Sequence, residues 1–400
     1  MEQLDELRRR LEALQERHLL RRRRVVSGPC RTQLLVDDGA GSAPREMLAF
    51  CSNDYLGLAA HPAVAAALAQ GAQALGAGSG ASALISGHHR AHQRLERRFA
   101  ELQAPHIPSC EALLFGTGYL ANLAVVAALA DRDTEIFSEQ LNHASLIDAV
   151  RLSRARCQIY PHADPAALER QLRASGAARK LILSDAVFSM DGDLAPLAPL
   201  LALAQAHGAW LVVDDAHGFG VLGAQGRGSL SHHALRSEHL VYVGTLGKAL
   251  GVAGAFVAAH ATVIDWLVQR ARPYVFSTAP PPALARALEA ALDVATSEEG
   301  DALRRRLARH VGRLRGGLEP RSWRLLASDT AIQPILIGDN AATMAAASEL
   351  ARRGLWVAGI RPPTVPQGTA RLRVTLSAAH SEAQVDRLVQ SLNEVAQAHG

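Results

Sequence analysis

From about residue 62 onward the chain alternates helical stretches with short β-rich runs, and this alternation constrains its fold more than any other feature. Helical spacing marks "PAVAAALAQGAQAL" and "AHQRLERRFAELQ"; the β-rich runs are "EALLF", "TEIFS", "CQIY", "KLILSDAVF", "WLVVDD", "LVYVGT" and "GAFVAA". Runs this short and apolar, separated by helix-length segments, predict βαβ units around a mostly parallel sheet covered by helices on both faces. In such sheets ligands bind beyond the carboxyl ends of the strands. The polar residues that end these runs are therefore the first candidates for function.

Ahead of this region, Leu4, Leu7, Leu11 and Leu14 at helical spacing predict an N-terminal helix. "LLVDDG" and "MLAFCSNDYLGL" predict short extended segments ending in turn residues. The three prolines of "STAPPPALARALEAAL" predict a boundary before a long helix. Beyond it, "AIQPILIGD", a helix from about Ala341, "LWVAGI", "ARLRVTLS" and a closing helix from about Ser381 predict a smaller α+β domain. The expected organisation is an N-terminal helix and extended segment over residues 1–55, a large domain over 56–285 and a small domain over 286–400; a length of 400 residues suits such a division.

Composition narrows the function classes. Apolar residues make up 48% and charged residues 20%, the balance of a chain that buries a large core. The net charge is +4, and the one conspicuous basic run is Arg21 to Arg24, with few aromatics to accompany it, which argues against nucleic-acid binding. Cys30, Cys51, Cys110 and Cys157 form no C-x-x-C pair, so neither a zinc knuckle nor a redox motif is expected, and a reduced, cytoplasmic protein fits. No export signal and no membrane-spanning run is read.

Three constellations carry chemistry. In "GTLGKALG" Lys248 follows the run "LVYV". A lysine withdrawn from water at a strand end loses some preference for the ammonium form, leaving an amine able to form a Schiff base with a carbonyl compound. A Walker phosphate loop is excluded, because Ala249 follows the lysine and position 242 is not glycine. A lysine in a glycine-rich turn also suits a structural role. In "WLVVDDAHGFG" Asp214 ends the strand and His217 follows three residues later: the acid can hold a pyridine nitrogen protonated and the imidazole can bond an oxygen on the same ring. An aspartate capping the next helix fits the same letters. In "LLFGTGYLANLAVVAAL" the Gly116-Thr117-Gly118 turn enters a helix, whose free amides make a phosphate cradle or merely a turn.

Further candidates are single residues. His143 in "NHAS" suits either stacking on a flat ring or starting a helix, and Ser189 ends the run "VFS". "GAGSGAS" at 76–82 lacks a dinucleotide fingerprint, and "HHRAH" at 88–92 lacks both H-E-x-x-H and a nearby acid, which argues against a metal site. Arg371 and Arg373 alternate along "ARLRVTL" and share one strand face, where an arginine can clamp a carboxylate through paired hydrogen bonds.

Together these elements resemble the fold-type I enzymes that use pyridoxal 5′-phosphate. "SNDYLGL", "NHASL", "FSMDGDLAPL", "VDDAHGFGVLGAQGRG", "GTLGKALGVAGAF", "FSTAPPP" and "IRPPTVPQGTARLRVTLSAAH" resemble the α-oxoamine synthases over nearly the whole chain; "RPPTVPQGTARLR" is most similar to the biotin-forming branch. The resemblance implies an α/β fold of type I, with a large domain built on a mostly parallel central sheet and a smaller α+β C-terminal domain. It implies that Lys248 holds the cofactor as a Schiff base and later takes a proton, that Asp214 pairs with the pyridine nitrogen and His217 with the ring oxygen, and that His143 stacks on the ring. Gly118, Tyr119, Ser189 and Thr245 would line the cofactor, with Ser277 or Thr278 reaching the phosphate of a neighbouring subunit in a homodimer that shares its active sites. Arg373 would take the amino-acid carboxylate, with Asn53 and Thr364 near the substrate and Arg21, or alternatively Arg24, meeting the acyl group. The implied reaction is decarboxylative condensation of L-alanine with a pimeloyl thioester on acyl carrier protein or coenzyme A. The alternative is a glycine-using relative such as 2-amino-3-ketobutyrate ligase.

Overall fold

The computed structural model describes residues 2–21, 23–39, 43–319 and 323–399, so Arg22 of the basic run lies outside the described residues. The chain divides into two compact units, one of Leu58–Ser189 with Leu194–Ala302 and the other of Met1–Gly57, Met190–Asp193 and Leu303–Gly400.

The first unit is built on a seven-stranded sheet whose spatial order is Cys110–Phe115, Ala255–His260, Leu240–Thr245, Trp210–Asp214, Arg179–Asp185, Thr134–Glu139 and Arg156–Tyr160. Each of the seven β-rich runs contributes one strand. Ala255–His260 is antiparallel to both its neighbours, and all the other pairs are parallel. Cys110–Phe115 therefore runs in the same direction as the parallel strands, which brings Phe115, Glu139, Asp185, Asp214 and Thr245 to one edge of the sheet. Parallel strands need both faces covered. The mostly apolar helix Gly118–Leu129 supplies part of one cover, with Ala121, Ala124, Val125 and Val126 packed in a core with Leu181, Leu183, Val212, Val241 and Val243.

The division after Ala302 differs from the 285/286 boundary expected from the prolines. Helix Pro282–Thr296 packs on helix Pro62–Leu75 within the first unit. Gly71 permits the approach: a Cβ there would stand 3.1 Å from Ala283 Cα.

The second unit holds two four-stranded sheets. In one, Val25–Ser27, Gln33–Asp37 and Arg45–Ala49 form an antiparallel series, and Leu355–Trp356 pairs parallel with the last of them. The other runs Arg324–Leu325, Ile332–Gly338, Ala370–Thr375 and Ala358–Ile360, all antiparallel. The run "LWVAGI", expected as one strand, is thus split between two sheets. The helices Asn340–Arg352 and Glu382–His399 fall where the sequence placed them. In the N-terminal helix Glu2–Glu16 the stripe Leu4, Leu7, Leu11 and Leu14 is exposed. Among the described residues no helix is long and apolar enough to cross a membrane.

Candidate active site

The edge formed by the carboxyl ends of the parallel strands gathers the expected site residues of the first unit. Lys248 stands three residues past the end of Leu240–Thr245, in a turn flanked by two glycines that their surroundings require, one inside the strand and one beyond the lysine. Gly244 faces the Phe256 ring, which a Cβ would meet at 2.3 Å. Gly251 has φ +69° and lies where a Cβ would fall 2.2 Å from the Ala59 amide nitrogen. Both conditions demand glycine. The Lys248 side chain is half-buried rather than enclosed, and its Nζ lies 3.0 Å from Nε2 of the buried His217.

Asp214 is 5% exposed. Its Oδ1 accepts the Ala216 amide at 3.0 Å and its Oδ2 accepts Asn122 Nδ2 at 2.6 Å. No helix follows directly, the next being Ser229–His232 beyond a short 3₁₀ turn, so Asp214 closes a turn and does not cap a helix. Thr245, at the end of the adjacent strand, donates its hydroxyl to Ala216 O at 3.1 Å.

After Phe115 the chain enters helix Gly118–Leu129 with Thr117 as its N-cap, Oγ1 accepting the Leu120 amide at 3.1 Å. Gly118 packs so closely on Thr245 that a Cβ would meet Thr245 Cγ2 at 2.5 Å. The exposed Tyr119 donates its hydroxyl to Asp148, and its ring lies edge-on to His143 at 6.4 Å. His143 is the N-cap of helix Ala144–Ser153, as the simpler reading had it, and is exposed. Partial withdrawal from water lowers its pKa, opposed by Asp214 and reinforced by Lys248. Ser189 ends the segment beyond the strand Arg179–Asp185. Ser277 and Thr278 lie apart from these groups in sequence, beside the "GAGSGAS" segment: Thr278 forms a β-bridge with Ser82, and the Ala279 amide donates to Ala81 O at 3.0 Å. "HHRAH" does have an acid nearby: His88 Nε2 lies 2.8 Å from Glu96 Oε2, one helical turn beyond the cluster.

Four residues of this region were not singled out from the sequence. Asn122 binds Asp214, and Ser145 binds both Asn122 and His143. Asp185, the register neighbour of Asp214, is buried and accepts the His143 amide at 3.2 Å. Burial, and then the adjacent Asp214, push its carboxyl well above the usual range. Asn142 joins two strands, donating to Ser138 Oγ at 3.0 Å in Thr134–Glu139 and, in Arg179–Asp185, accepting the Asp185 amide at 2.8 Å and donating to Leu183 O at 3.0 Å. One signal for Asn122 was available: it is the single strongly polar side chain in an otherwise apolar helix apart from Tyr119.

In the second unit, Arg373 is buried in the strand Ala370–Thr375 and bonds Asn53 Oδ1 from both terminal nitrogens at 3.3 Å, and Thr375 Oγ1 at 3.0 Å. Arg371, on the same face, is ion-paired with Asp191 at 2.6 Å. Arg21 Nη2 lies 3.4 Å from Thr364 Oγ1, while Arg24 sits 5.1 Å over the Trp356 ring.

An amine beside an imidazole, a carboxylate held by two donors, and a helix start at one sheet edge can capture a carbonyl compound and hold a charged ring and an anion. The comparisons agree with this chemistry. Residues 45–392 match the family model for aminotransferase class I and II. The 8-amino-7-oxononanoate synthase of Bordetella petrii is 62% identical over 99% of this chain and 98% of its own length. Among solved structures, a serine palmitoyltransferase variant from S. paucimobilis with a bound PLP–myriocin compound superposes with a TM-score of 0.90 at 25% identity, covering 100% of this chain and 98% of that one. The 8-amino-7-oxononanoate synthase of Francisella tularensis gives a TM-score of 0.73 at 27% identity, covering 87% and 97%. The chain belongs to the class I and II aminotransferase family and, within it, to the 8-amino-7-oxononanoate synthases.

Proposed function

We propose that the enzyme condenses L-alanine with a pimeloyl thioester, releasing carbon dioxide and a free thiol and forming 8-amino-7-oxononanoate for biotin synthesis. It is a C-acyltransferase dependent on pyridoxal 5′-phosphate. The observation that carries this reading is the edge holding Lys248, His217 and Asp214 together, in a chain 62% identical to a synthase of that name.

The residues fit the cofactor. Gly118 and Thr245 are in such close contact that no side chain fits between them, and of the first amides of helix Gly118–Leu129 the Thr117 N-cap takes that of Leu120, so those of Gly118 and Tyr119 are the ones that would meet a phosphate. Asp214 presents two acceptor oxygens, as an anion facing a pyridinium requires. When bound, pyridoxal phosphate supplies an aldehyde for covalent capture of an amino group and a ring that delocalises the electron pair freed at the α-carbon.

Lys248 would hold the cofactor through its amine and, once displaced by the amino acid, take the α-proton on Nζ. Asp214 would keep a proton on the ring nitrogen. His217 Nε2, now 3.0 Å from the lysine, would bond the ring oxygen. His143 would cover one ring face, and Tyr119, Ser189 and Thr245 would line the remaining sides. Ser277 or Thr278 would serve the neighbour's phosphate in a homodimer. Arg373 with Asn53 would bind the amino-acid carboxylate, and Thr364 with Arg21, or Arg24, the acyl substrate. An acyl carrier protein donor would suit the exposed arginines near residue 21, because such carriers are acidic.

The test is thiol release from pimeloyl-coenzyme A by the cofactor-loaded enzyme with L-alanine and with glycine in parallel. Release with alanine that is lost in Lys248→Ala supports the reading. Release confined to glycine with acetyl-coenzyme A replaces it with that of a 2-amino-3-ketobutyrate ligase.

A further inference from the structure

His143 has two ring nitrogens, and its surroundings decide which carries the proton. Nδ1 faces the Ser145 backbone amide at 3.3 Å and the Ser145 hydroxyl at 2.7 Å. An amide N–H can only donate, so it favours a lone pair on Nδ1, but at 3.3 Å it is the longer of the two contacts and the hydroxyl at 2.7 Å decides the tautomer. The hydroxyl is free to donate as well, because its oxygen already accepts a hydrogen bond from Asn122 Nδ2 at 2.8 Å. The other hydrogen on Asn122 Nδ2 goes to Asp214 Oδ2 at 2.6 Å. Turning the amide over would set its oxygen against the carboxylate oxygen at that distance, which fixes the orientation by chemistry. Asn122 is 1% exposed and Ser145 is fully buried, so water does not compete for these bonds. The Asp185 carboxyl, accepting the His143 amide, holds the backbone end of the same residue.

We propose that Asn122 and Ser145 are positioning residues: a relay running from Asp214 through Asn122 to Ser145 fixes His143 as the neutral ring with its proton on Nε2. The residue under the ring nitrogen and the residue over the ring face are thereby tied into one rigid unit. A neutral ring can approach a protonated cofactor ring face to face without like-charge repulsion, and Nε2–H is left as a donor at the cleft. The use of this device in catalysis rests on the synthase reading; the relay itself does not.

The test is a long-range proton–nitrogen spectrum of the full chain labelled with ¹⁵N-histidine, recorded with and without cofactor, with the His143 signal identified by its loss in His143→Asn. The expected result is the Nε2–H pattern in the native chain. Ser145→Ala removes the hydroxyl donor. Asn122→Leu frees the Ser145 oxygen to accept from Nδ1–H. Each variant shifts His143 toward Nδ1–H, Ser145→Thr restores the native pattern, and Ser145→Ala lowers kcat roughly tenfold with KM for the amino acid changed less than twofold, a typical loss for an outer supporting group. A native Nδ1–H pattern, or an unchanged tautomer in folded Ser145→Ala and Asn122→Leu, overturns the relay. A shifted tautomer in an enzyme inactive on alanine leaves the relay standing and removes the synthase reading alone.

Discussion

The sheet edge of one unit and the arginine strand of the other place their charged groups by different means. At the edge, the candidate residues Lys248, Asp214 and His217 stand at or just past the end of a strand, where the backbone leaves the sheet, and their position follows from where the apolar run stops. In Ala370–Thr375, two arginines share one face within a single strand, and their neighbours alone separate them: Asp191 neutralises Arg371, whereas Arg373 reaches the oxygens of Asn53 and Thr375. Sequence position therefore identifies a candidate at a strand end; inside a strand it identifies only a face.

The largest effect is expected at the edge. Asp214→Asn keeps the size and the turn but removes the charge that would hold a ring proton, so turnover should fall roughly 10²- to 10³-fold and the absorption of the bound cofactor should change. Normal turnover in this variant would show that the edge needs only a hydrogen-bonding group at position 214, erasing its distinction from a simple turn residue.

The arginine pair tests the other side. Arg373→Ala should raise KM for alanine roughly 100-fold, the scale of a lost charge-assisted contact, and should also lower the melting temperature, because it takes a donor from Asn53 and Thr375. Arg371→Ala leaves the partly exposed Asp191 without its partner and should cost about 2 kcal/mol of stability, the scale of a lost hydrogen bond to a charged group, with KM nearly unchanged. Thermal melts and steady-state kinetics on both variants decide the matter, and equal effects would merge the two roles.

Much of this was legible in the letters. All seven strands of the central sheet, Lys248, Asp214, His217 and the Thr117–Gly118 helix start follow from apolar runs and the residues that end them. Asn122 was not, because a helix apolar on all sides gives no periodic mark of which side meets the sheet edge. Asp185 was hidden inside "KLILSDAVF", where the apolar letters continue after the strand has ended at the aspartate. "LWVAGI" read as one strand for a related reason: apolar content records burial, not pairing partner, and Val357 is where the chain passes from one sheet to the other.

Acid should separate the two units with opposite signs. In the arginine unit, His380 stacks on Phe50 at 4.3 Å, accepts the Ser377 amide on Nδ1 and faces Ala49 O with Nε2, and burial lowers its pKa from 6.5 to about 4. Above pH 6.5 both folded and unfolded forms are neutral. As pH falls from 6.5 to 4 the unfolded chain takes up a proton that the folded one refuses, so up to about 3 kcal/mol of stability is lost across that window. In the edge unit, burial raises Asp215 from 3.8 to about 6. Its folded form keeps a proton that the unfolded form releases, so this contribution is full below pH 3.8, declines as pH rises to about 6, and is regained on acidification. Hydrogen exchange at pH 7 and pH 5, corrected for the intrinsic rate, should show protection falling around residues 45–57 and 370–380 and holding around 210–245. Uniform loss would mean that other groups dominate the titration of both units.

The smallest effect sharpens the comparison most. Gly118→Ala places a methyl group 2.5 Å from Thr245 Cγ2, so the helix start must move away from the strand end, and affinity for pyridoxal phosphate should fall roughly tenfold, the loss of about one hydrogen bond. Thr245→Ser removes the methyl that the new Cβ would strike while keeping the hydroxyl that donates to Ala216 O. If contact between strand end and helix start sets the cradle, the double variant recovers most of the affinity, and the cycle yields a coupling close to the whole effect of Gly118→Ala. If Gly118 serves only as a conformationally permissive turn residue, Thr245→Ser changes nothing and the two effects add. Equilibrium titration of the apo-enzyme with the cofactor separates these outcomes, and additivity would show that the edge positions its groups by strand ends alone.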